Sequence, residues 1–125
     1  MEKRSATGMT RLIHATRYSL QGLAQAWRSE TAFRQEAIVV ALSIPAAFWL
    51  GHTASQRALL IFSALLILIV ELLNSAVEAT VDRIGAERHP LSGQAKNMGS
   101  ASVLIALIAA VAVWGLAAWE RWTQF

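Results

Sequence analysis

Long apolar runs dominate the second part of the chain, and each is bounded by polar or turn-forming residues. A helix that crosses the hydrocarbon core of a bilayer needs about 20 mainly apolar residues, within a range of roughly 17–25. The third run reaches this length alone, the first reaches it with residues 32–36, and the second continues into a polar half that ends at Ile84. The pattern predicts three membrane helices, at about 32–51, 56–84 and 93–120. The three runs are Ala37–Leu50, Ala58–Val70 and Ala101–Trp119.

Residues 10–28 have a different pattern, that of an amphipathic helix. At 100° per residue the apolar side chains share an arc of roughly 120°, with polar side chains opposite them. Such a helix lies in the membrane surface. A helix packed on a soluble core would have the same pattern, but the neighbouring apolar runs favour the membrane surface. The apolar set is Leu12, Ile13, Leu20, Leu23, Ala24 and Trp27, and the polar set is Arg11, His14, Gln21, Gln25 and Arg28.

Composition supports a membrane protein. The chain has 125 residues, of which 55% are hydrophobic, and a mean hydropathy of +0.44. A soluble domain this short has difficulty burying so much apolar surface. We therefore expect an all-α integral membrane protein that forms one domain over residues 1–125, without a signal peptide. The chain has no cysteine, which excludes disulfides, thiolate catalysis and cysteine-ligated metals.

The distribution of basic residues predicts an orientation. Residues 1–34 contain Lys3, Arg4 and four further arginines, against two glutamates. The region around the second predicted loop adds Arg83, Arg88 and Lys96. Basic segments beside membrane helices face the cytoplasm and anionic lipid, so we expect no nucleic-acid partner. The N-terminus should be cytoplasmic and the C-terminus periplasmic. The tryptophans then fit the two interfaces, with Trp27 at the inner one and Trp49, Trp119 and Trp122 at the outer one.

A polar stripe follows the apolar half of the second membrane helix. Its members are spaced at helical intervals, so they share one face. Glu71 comes directly after the apolar run and should lie inside the membrane, where an ionisable group usually marks function. A polar network that only holds helices together is the structural alternative. The stripe consists of Glu71, Asn74, Ser75, Glu78 and Asp82.

Two further glutamates, Glu30 and Glu36, flank the start of the first membrane helix. Glu30 and Glu78 could supply the carboxylate oxygens that Mg2+ prefers, with phosphate oxygens and water completing its shell. For Glu30 alone, an ion pair with Arg34 four residues later is the simpler interpretation. The sequence has no P-loop, no dinucleotide-binding glycine motif and no protein-kinase motif, and its three histidines have no zinc-site spacing.

Three segments resemble the motifs of the prokaryotic diacylglycerol kinase family, and the similarity extends over nearly all of the chain from Arg11 onward. The glutamate-containing ELLNSAVEA block is the most specific of them. The resemblance implies a homotrimer in the bacterial inner membrane, each subunit having a surface helix and three membrane helices. It also implies transfer of the γ-phosphate of Mg-ATP to diacylglycerol, giving phosphatidic acid. The segments are AFRQE at 32–36, VELLNSAVEATVDRIGAE at 70–87 and LSGQAKNMGSASV at 91–103.

The resemblance implies roles for individual residues. The first glutamate of E-x-x-N-S-x-x-E is the catalytic base, here Glu71, and Glu30 and Glu78 hold the metal and nucleotide. The other nucleotide contacts are Arg11, Tyr18, Glu87, His89, Lys96 and Asn97. The lipid-substrate contacts are Arg11, Ser19, Arg34, Glu36, Glu71, Asn74, Ser100 and Trp114.

The chain departs from the family pattern at two positions. Asn97 stands where an aspartate usually follows the lysine, and its amide can still hydrogen-bond a nucleotide. Gln94 stands where a basic residue is frequent. Undecaprenol is an alternative substrate, because the motifs describe the transfer site rather than the lipid tail. A non-enzymatic scaffold and a proton- or cation-conducting oligomer are alternatives of other classes.

Overall fold

The computed structural model describes residues 7–85 and 87–124, which form four helices and contain no strand. Glu2, Lys3 and Arg4, part of the basic N-terminal segment, lie outside the described residues. The predicted all-α class is confirmed. The helices are α1, Gly8–Ser29; α2, Thr31–Leu50; α3, Ala54–Ile84; and α4, Pro90–Thr123.

Three of these helices, α2, α3 and α4, are long and apolar enough to cross a bilayer. Most of their large apolar side chains point outward in the single chain, as Leu42, Phe62 and Val111 do. Exposure on this scale would be unfavourable in water, but lipid tails or other protein chains can cover it. The predicted three-span organisation is confirmed.

Side chains at the helix starts set the observed boundaries. The Thr53 hydroxyl accepts a hydrogen bond from the backbone N–H of Gln56 and begins α3. At α4 the ring Nδ1 of His89 accepts from the Leu91 N–H at 3.1 Å, and Pro90 occupies the first turn. Proline has no N–H to lose and its fixed φ suits that position. Our expected start at 93, with Pro90 in the loop, was therefore three residues too late.

A sharp corner at Glu30 separates α1 from α2. The Arg34 guanidinium closes this corner, because its Nη1 donates to the carbonyls of Trp27, at 2.7 Å, and Arg28, at 3.1 Å. Its Nη2 donates to the Thr31 hydroxyl. The last carbonyls of a helix lack partners within the helix, so a cation placed there is stabilising. Arg34 thus holds the angle at which α1 meets α2.

The end of the bundle opposite the corner holds the apolar core. Ala47, Leu50, Leu60 and Ala117 are buried there, with Trp114 packed beside them. Two polar links tie α4 to the α2–α3 turn at this end: Gln56 Nε2 donates to Glu120 Oε1 at 2.7 Å, and Arg121 Nη1 donates to the Trp49 carbonyl at 3.0 Å. We call this the closed end. The α1–α2 corner and the α3–α4 loop lie at the other end, which we call the open end.

The pair α3 and α4 shares the most extensive interface of the bundle. Its buried positions include Ala64, Ala106 and Ala110. Small side chains allow helix backbones to approach closely, which replaces the hydrophobic driving force that is weak in lipid. Close approach of α3 and α4 brings the polar stripe of α3 against the first half of α4.

Replacing Arg34 with alanine should loosen the corner. Hydrogen bonds to a charged group contribute about 1.5–3 kcal/mol each, and part of this should be lost. We expect a lower thermal unfolding temperature for Arg34→Ala in detergent without substrates. Arg17→Ala, at an exposed site of α1, is the matched control and should unfold like the wild type. An unchanged unfolding temperature for Arg34→Ala would show that the corner does not depend on this residue.

Candidate active site

The corner at Glu30 directs an acidic side chain at α3. Glu30 is the residue before the first turn of α2, yet its side chain makes no capping hydrogen bond there. Instead its Oε1 accepts from the Ser75 hydroxyl at 3.4 Å. The simpler interpretation of Glu30, an ion pair with Arg34, is not what the structure contains, because Arg34 bonds the carbonyls of α1. Glu30 therefore belongs with the polar stripe of α3.

Residues from α2, α3 and α4, together with Glu30, line one cleft of about 470 Å³ near the open end of the bundle. We call it the carboxylate cleft. Six residues that the sequence marked as site candidates meet in it, although they come from three separate segments. They are Glu30, Glu36, Glu71, Asn74, Glu78 and Ser100.

Glu71 is the most enclosed acidic group of the cleft, with only 6% of its surface exposed. Glu36 of α2 lines the same cleft, so the carboxyl groups of Glu71 and Glu36 interact across the α2–α3 interface. Within residues 7–85 and 87–124, two buried oxygens of the cleft, Glu36 Oε1 and Asn74 Oδ1, have no hydrogen-bond partner. Buried polar atoms are normally paired, so the unpaired Glu36 oxygen marks a place where a ligand or another group belongs, whereas the Asn74 oxygen faces Gly99 of α4.

The charge of the cleft is negative. Four glutamates line it, and in the part of the chain that the structure describes no lysine or arginine does. Such a concentration of carboxylates away from bulk water calls for a cation or protons. In the described ranges no three acidic or histidine side chains converge as a complete ligand set. Mg2+ does not require one, because it is commonly bound through one or two carboxylates, substrate phosphates and water. The cleft fits that ion.

A second cleft of about 540 Å³ lies at the α3–α4 loop and collects Glu87, His89 and Lys96, three of the predicted nucleotide contacts. We call it the loop cleft. Lys96 Nζ pairs with Asp82 Oδ1 at 2.9 Å, with the two side chains 45% and 67% exposed. The Lys96 charge also interacts with Glu78, which lines the carboxylate cleft. Glu78 and Asp82 lie one helical turn apart, so the two clefts adjoin each other along α3.

Other predicted site residues lie outside both clefts in the single chain. Arg11, Tyr18 and Asn97 are exposed. Ser19 lines a groove between α1 and α3 that also contains Glu30 and Ser75. Trp114 packs at the closed end, about 21 Å along the α4 axis from Ser100 at 1.5 Å per residue. The roles assigned to these residues stay predictions.

Three residues acquire contacts that the sequence did not assign to them. Ser75 and Asp82 were recognised as members of the stripe, but their partners, Glu30 and Lys96, lie on other segments. Gly99 packs directly against Asn74. Helical spacing could reveal that Ser75 and Asp82 face the same way as Glu71, but no sequence signal identifies what lies opposite.

Comparison with known proteins identifies the family of the chain. The family described as prokaryotic diacylglycerol kinase matches residues 17–118. The chain is 55% identical over 117 residues to a diacylglycerol kinase of Escherichia coli strain K12, covering 94% of this chain and 96% of the relative. A diacylglycerol kinase of Haemophilus influenzae is 57% identical over 109 residues, covering 87% and 92%. One from Helicobacter pylori strain 26695 is 44% identical over 110 residues, covering 88% and 86%.

Proposed function

This chain belongs to the prokaryotic diacylglycerol kinase family, and we propose that its carboxylate cleft is where the enzyme transfers a phosphoryl group from ATP to diacylglycerol. The observation that carries the proposal is the meeting of four glutamates in one cleft, with Glu71 buried among them. The chain is an ATP-dependent lipid kinase of a bacterial membrane, and its product is phosphatidic acid.

Glu71 is the general base. Its carboxylate accepts the proton of the primary hydroxyl while that oxygen forms a bond to the γ-phosphorus, and the bond from phosphorus to the oxygen of the departing ADP breaks. Phosphoryl transfer depends mainly on positioning and charge stabilisation. The burial of Glu71 keeps water from competing with the lipid hydroxyl. A general base contributes about 10²–10⁴-fold to rate.

Glu30 and Glu78 would hold Mg2+. Both line the carboxylate cleft, and Glu78 lies one helical turn before Asp82, which lines the loop cleft. Bound Mg2+ supplies neutralisation of phosphate charge. The Ser75 hydroxyl, which donates to Glu30 Oε1, restricts the rotation of that carboxylate and keeps it facing α3.

The nucleotide occupies the loop cleft and reaches the carboxylate cleft with its γ-phosphate. Lys96 supplies positive charge where the two clefts adjoin, because it pairs with Asp82 and is also attracted by Glu78. A phosphate group can compete with the exposed Asp82 for Lys96, because exposed ion pairs are weak. The further nucleotide contacts that we propose from the family pattern are Arg11, Tyr18, Glu87, His89 and Asn97.

The lipid approaches laterally from the bilayer, so that its hydroxyl enters beside Glu71. Glu36, Asn74 and Ser100 line the carboxylate cleft and are available to the lipid head. Ser19 lines the adjoining groove between α1 and α3. For Arg11, Arg34 and Trp114 the lipid contact is proposed from the family pattern alone.

We place the protein in the inner membrane with α1, both clefts and the N-terminus on the cytoplasmic side and the C-terminus in the periplasm. Basic residues at the open end support this orientation, because they favour the cytoplasmic face. ATP is then available to the loop cleft directly.

We also propose a homotrimer. Outward-facing apolar side chains on α3 and α4 leave surface for other copies as well as for lipid, and the number of three comes from the family pattern. Chemical cross-linking and native mass measurement of active protein in detergent should give a trimer as the largest species. Active preparations that contain monomers alone would contradict the proposal.

The glutamine variants Glu30→Gln and Glu78→Gln test the Mg2+ assignment. Each removes a negative charge on which Mg2+ affinity depends. We expect both to raise the Mg2+ and ATP concentrations needed for half-maximal activity, with little change in the apparent affinity for diacylglycerol. A variant whose Mg2+ and ATP dependence matches the wild type would remove that glutamate from the metal site.

Glu71→Gln tests the proposed base. The amide keeps the size of the side chain but cannot accept the proton, so turnover should fall by at least the ~10²–10⁴-fold typical of a lost general base. Folding should survive, since a neutral amide is cheaper to bury than a carboxylate. The measurement pairs phosphorylation rate with thermal stability of the assembled protein. Glu120→Gln, at the closed end, is the control and should keep wild-type turnover.

Diacylglycerol and undecaprenol are compared as lipid substrates of the wild-type protein in the same mixed-micelle assay.

An active Glu71→Gln variant would exclude Glu71 as the base. Intact assemblies without turnover would support the assignment.

A further inference from the structure

Gly99 occupies the tightest approach of α4 to the polar stripe of α3. A Cβ built on Gly99 would collide with Asn74 Oδ1 and would lie 3.2 Å from its Cγ and 3.9 Å from its Cα. Two other glycines of the same helix, Gly93 and Gly115, have open space at the corresponding position among the described residues. Among the glycines of α4, only Gly99 must therefore lack a side chain. The Asn74 carboxamide occupies the space that a side chain at this position would take.

The Asn74 carboxamide has one end enclosed. Its Oδ1 is buried and has no hydrogen-bond partner in the described ranges, and this oxygen is the atom that faces Gly99. A carboxamide has an acceptor end and a donor end. Because the oxygen lies against the α4 backbone, Nδ2 is the end of the carboxamide that can face the carboxylate cleft. Asn74 lines this cleft together with Glu71 and Ser100.

We propose that Gly99 is a positioning residue for phosphoryl transfer. This inference rests on the proposed function of the carboxylate cleft. Its missing side chain lets the Asn74 carboxamide lie against α4, so that Nδ2 can donate to an oxygen of the lipid head beside Glu71. Any side chain at 99 pushes the carboxamide into the cleft, where it displaces the lipid hydroxyl from Glu71. Gly99 itself touches neither substrate.

The test is Gly99→Ala with Gly115→Ala as the matched control on the same helix. We expect Gly99→Ala to lower kcat by roughly 10–100-fold, the loss typical of misplacing reacting groups by about 1 Å. The KM for Mg-ATP should stay unchanged, because the loop cleft is not disturbed. Gly115→Ala should keep wild-type kcat. A purely structural role for Gly99 would alter both constants or neither.

A double-variant cycle identifies the partner through which Gly99 acts. In the Asn74→Ala background the collision is absent, so Gly99→Ala should cause no further loss of kcat. With Asn74 present, we expect Gly99→Ala to lower the melting temperature as well. In the Asn74→Ala background it should leave the melting temperature unchanged. If Gly99→Ala fails to fold alone, the double variant should fold again.

Several results would overturn the inference. These are a folded Gly99→Ala variant with wild-type kcat, a double variant that still fails to fold, or a double variant that melts lower than Asn74→Ala. An Asn74→Ala variant with wild-type kcat would instead refute the lipid contact at Asn74 in the proposed function, and the inference with it. Loss in Asn74→Ala without loss in Gly99→Ala would refute the role of Gly99 alone.

Discussion

A carboxyl group buried between apolar helices is the constraint on which the rest of this structure depends. Glu71 follows an apolar run that would otherwise pack tightly, and it is almost fully enclosed. An isolated carboxylate in such surroundings is strongly unfavourable. Polar side chains surround it: Asn74 and Ser100 line the same cleft, and Glu36 from α2 brings a second acidic group close to it, so that the pair calls for a proton or a cation. The cleft is thus the consequence of burying Glu71 and, in the proposed function, the space in which the substrates meet it.

The α1–α2 corner extends this arrangement. Arg34 is committed to the carbonyls at the end of α1, so it holds the corner rather than neutralising Glu30. Glu30 is left to face α3 and to accept from Ser75. Helix α1 is therefore joined to the acidic cleft through Glu30, and a movement of α1 would reach this residue directly. The negative charge of Glu30 is preserved because the Arg34 guanidinium is bound to the carbonyls of α1.

The two ends of the bundle have different physical character. At the closed end, small apolar residues such as Ala47 and Ala117 pack against the fully buried Leu60, and polar links join α4 to the end of α2 and the start of α3. At the open end the helices are separated by two clefts and a weak exposed ion pair between Lys96 and Asp82. The buried core at one end can hold the helices in register, while the clefts at the other end can receive ligands. Preorganisation of this kind favours phosphoryl transfer, which relies on position more than on covalent chemistry.

The sequence by itself determined the helices, the three membrane spans and the single face shared by Glu71, Asn74 and Glu78, because apolar length and helical period are local properties of the chain. The resemblance of its motifs added the kinase family, which the comparisons confirmed. Only the tertiary structure decided what lies opposite that face. The contact of Gly99 with Asn74 and the binding of Arg34 to backbone carbonyls depend on how each helix rotates about its axis and how closely its neighbour approaches. Those two quantities are set by the packing of side chains from distant segments, which no local pattern encodes.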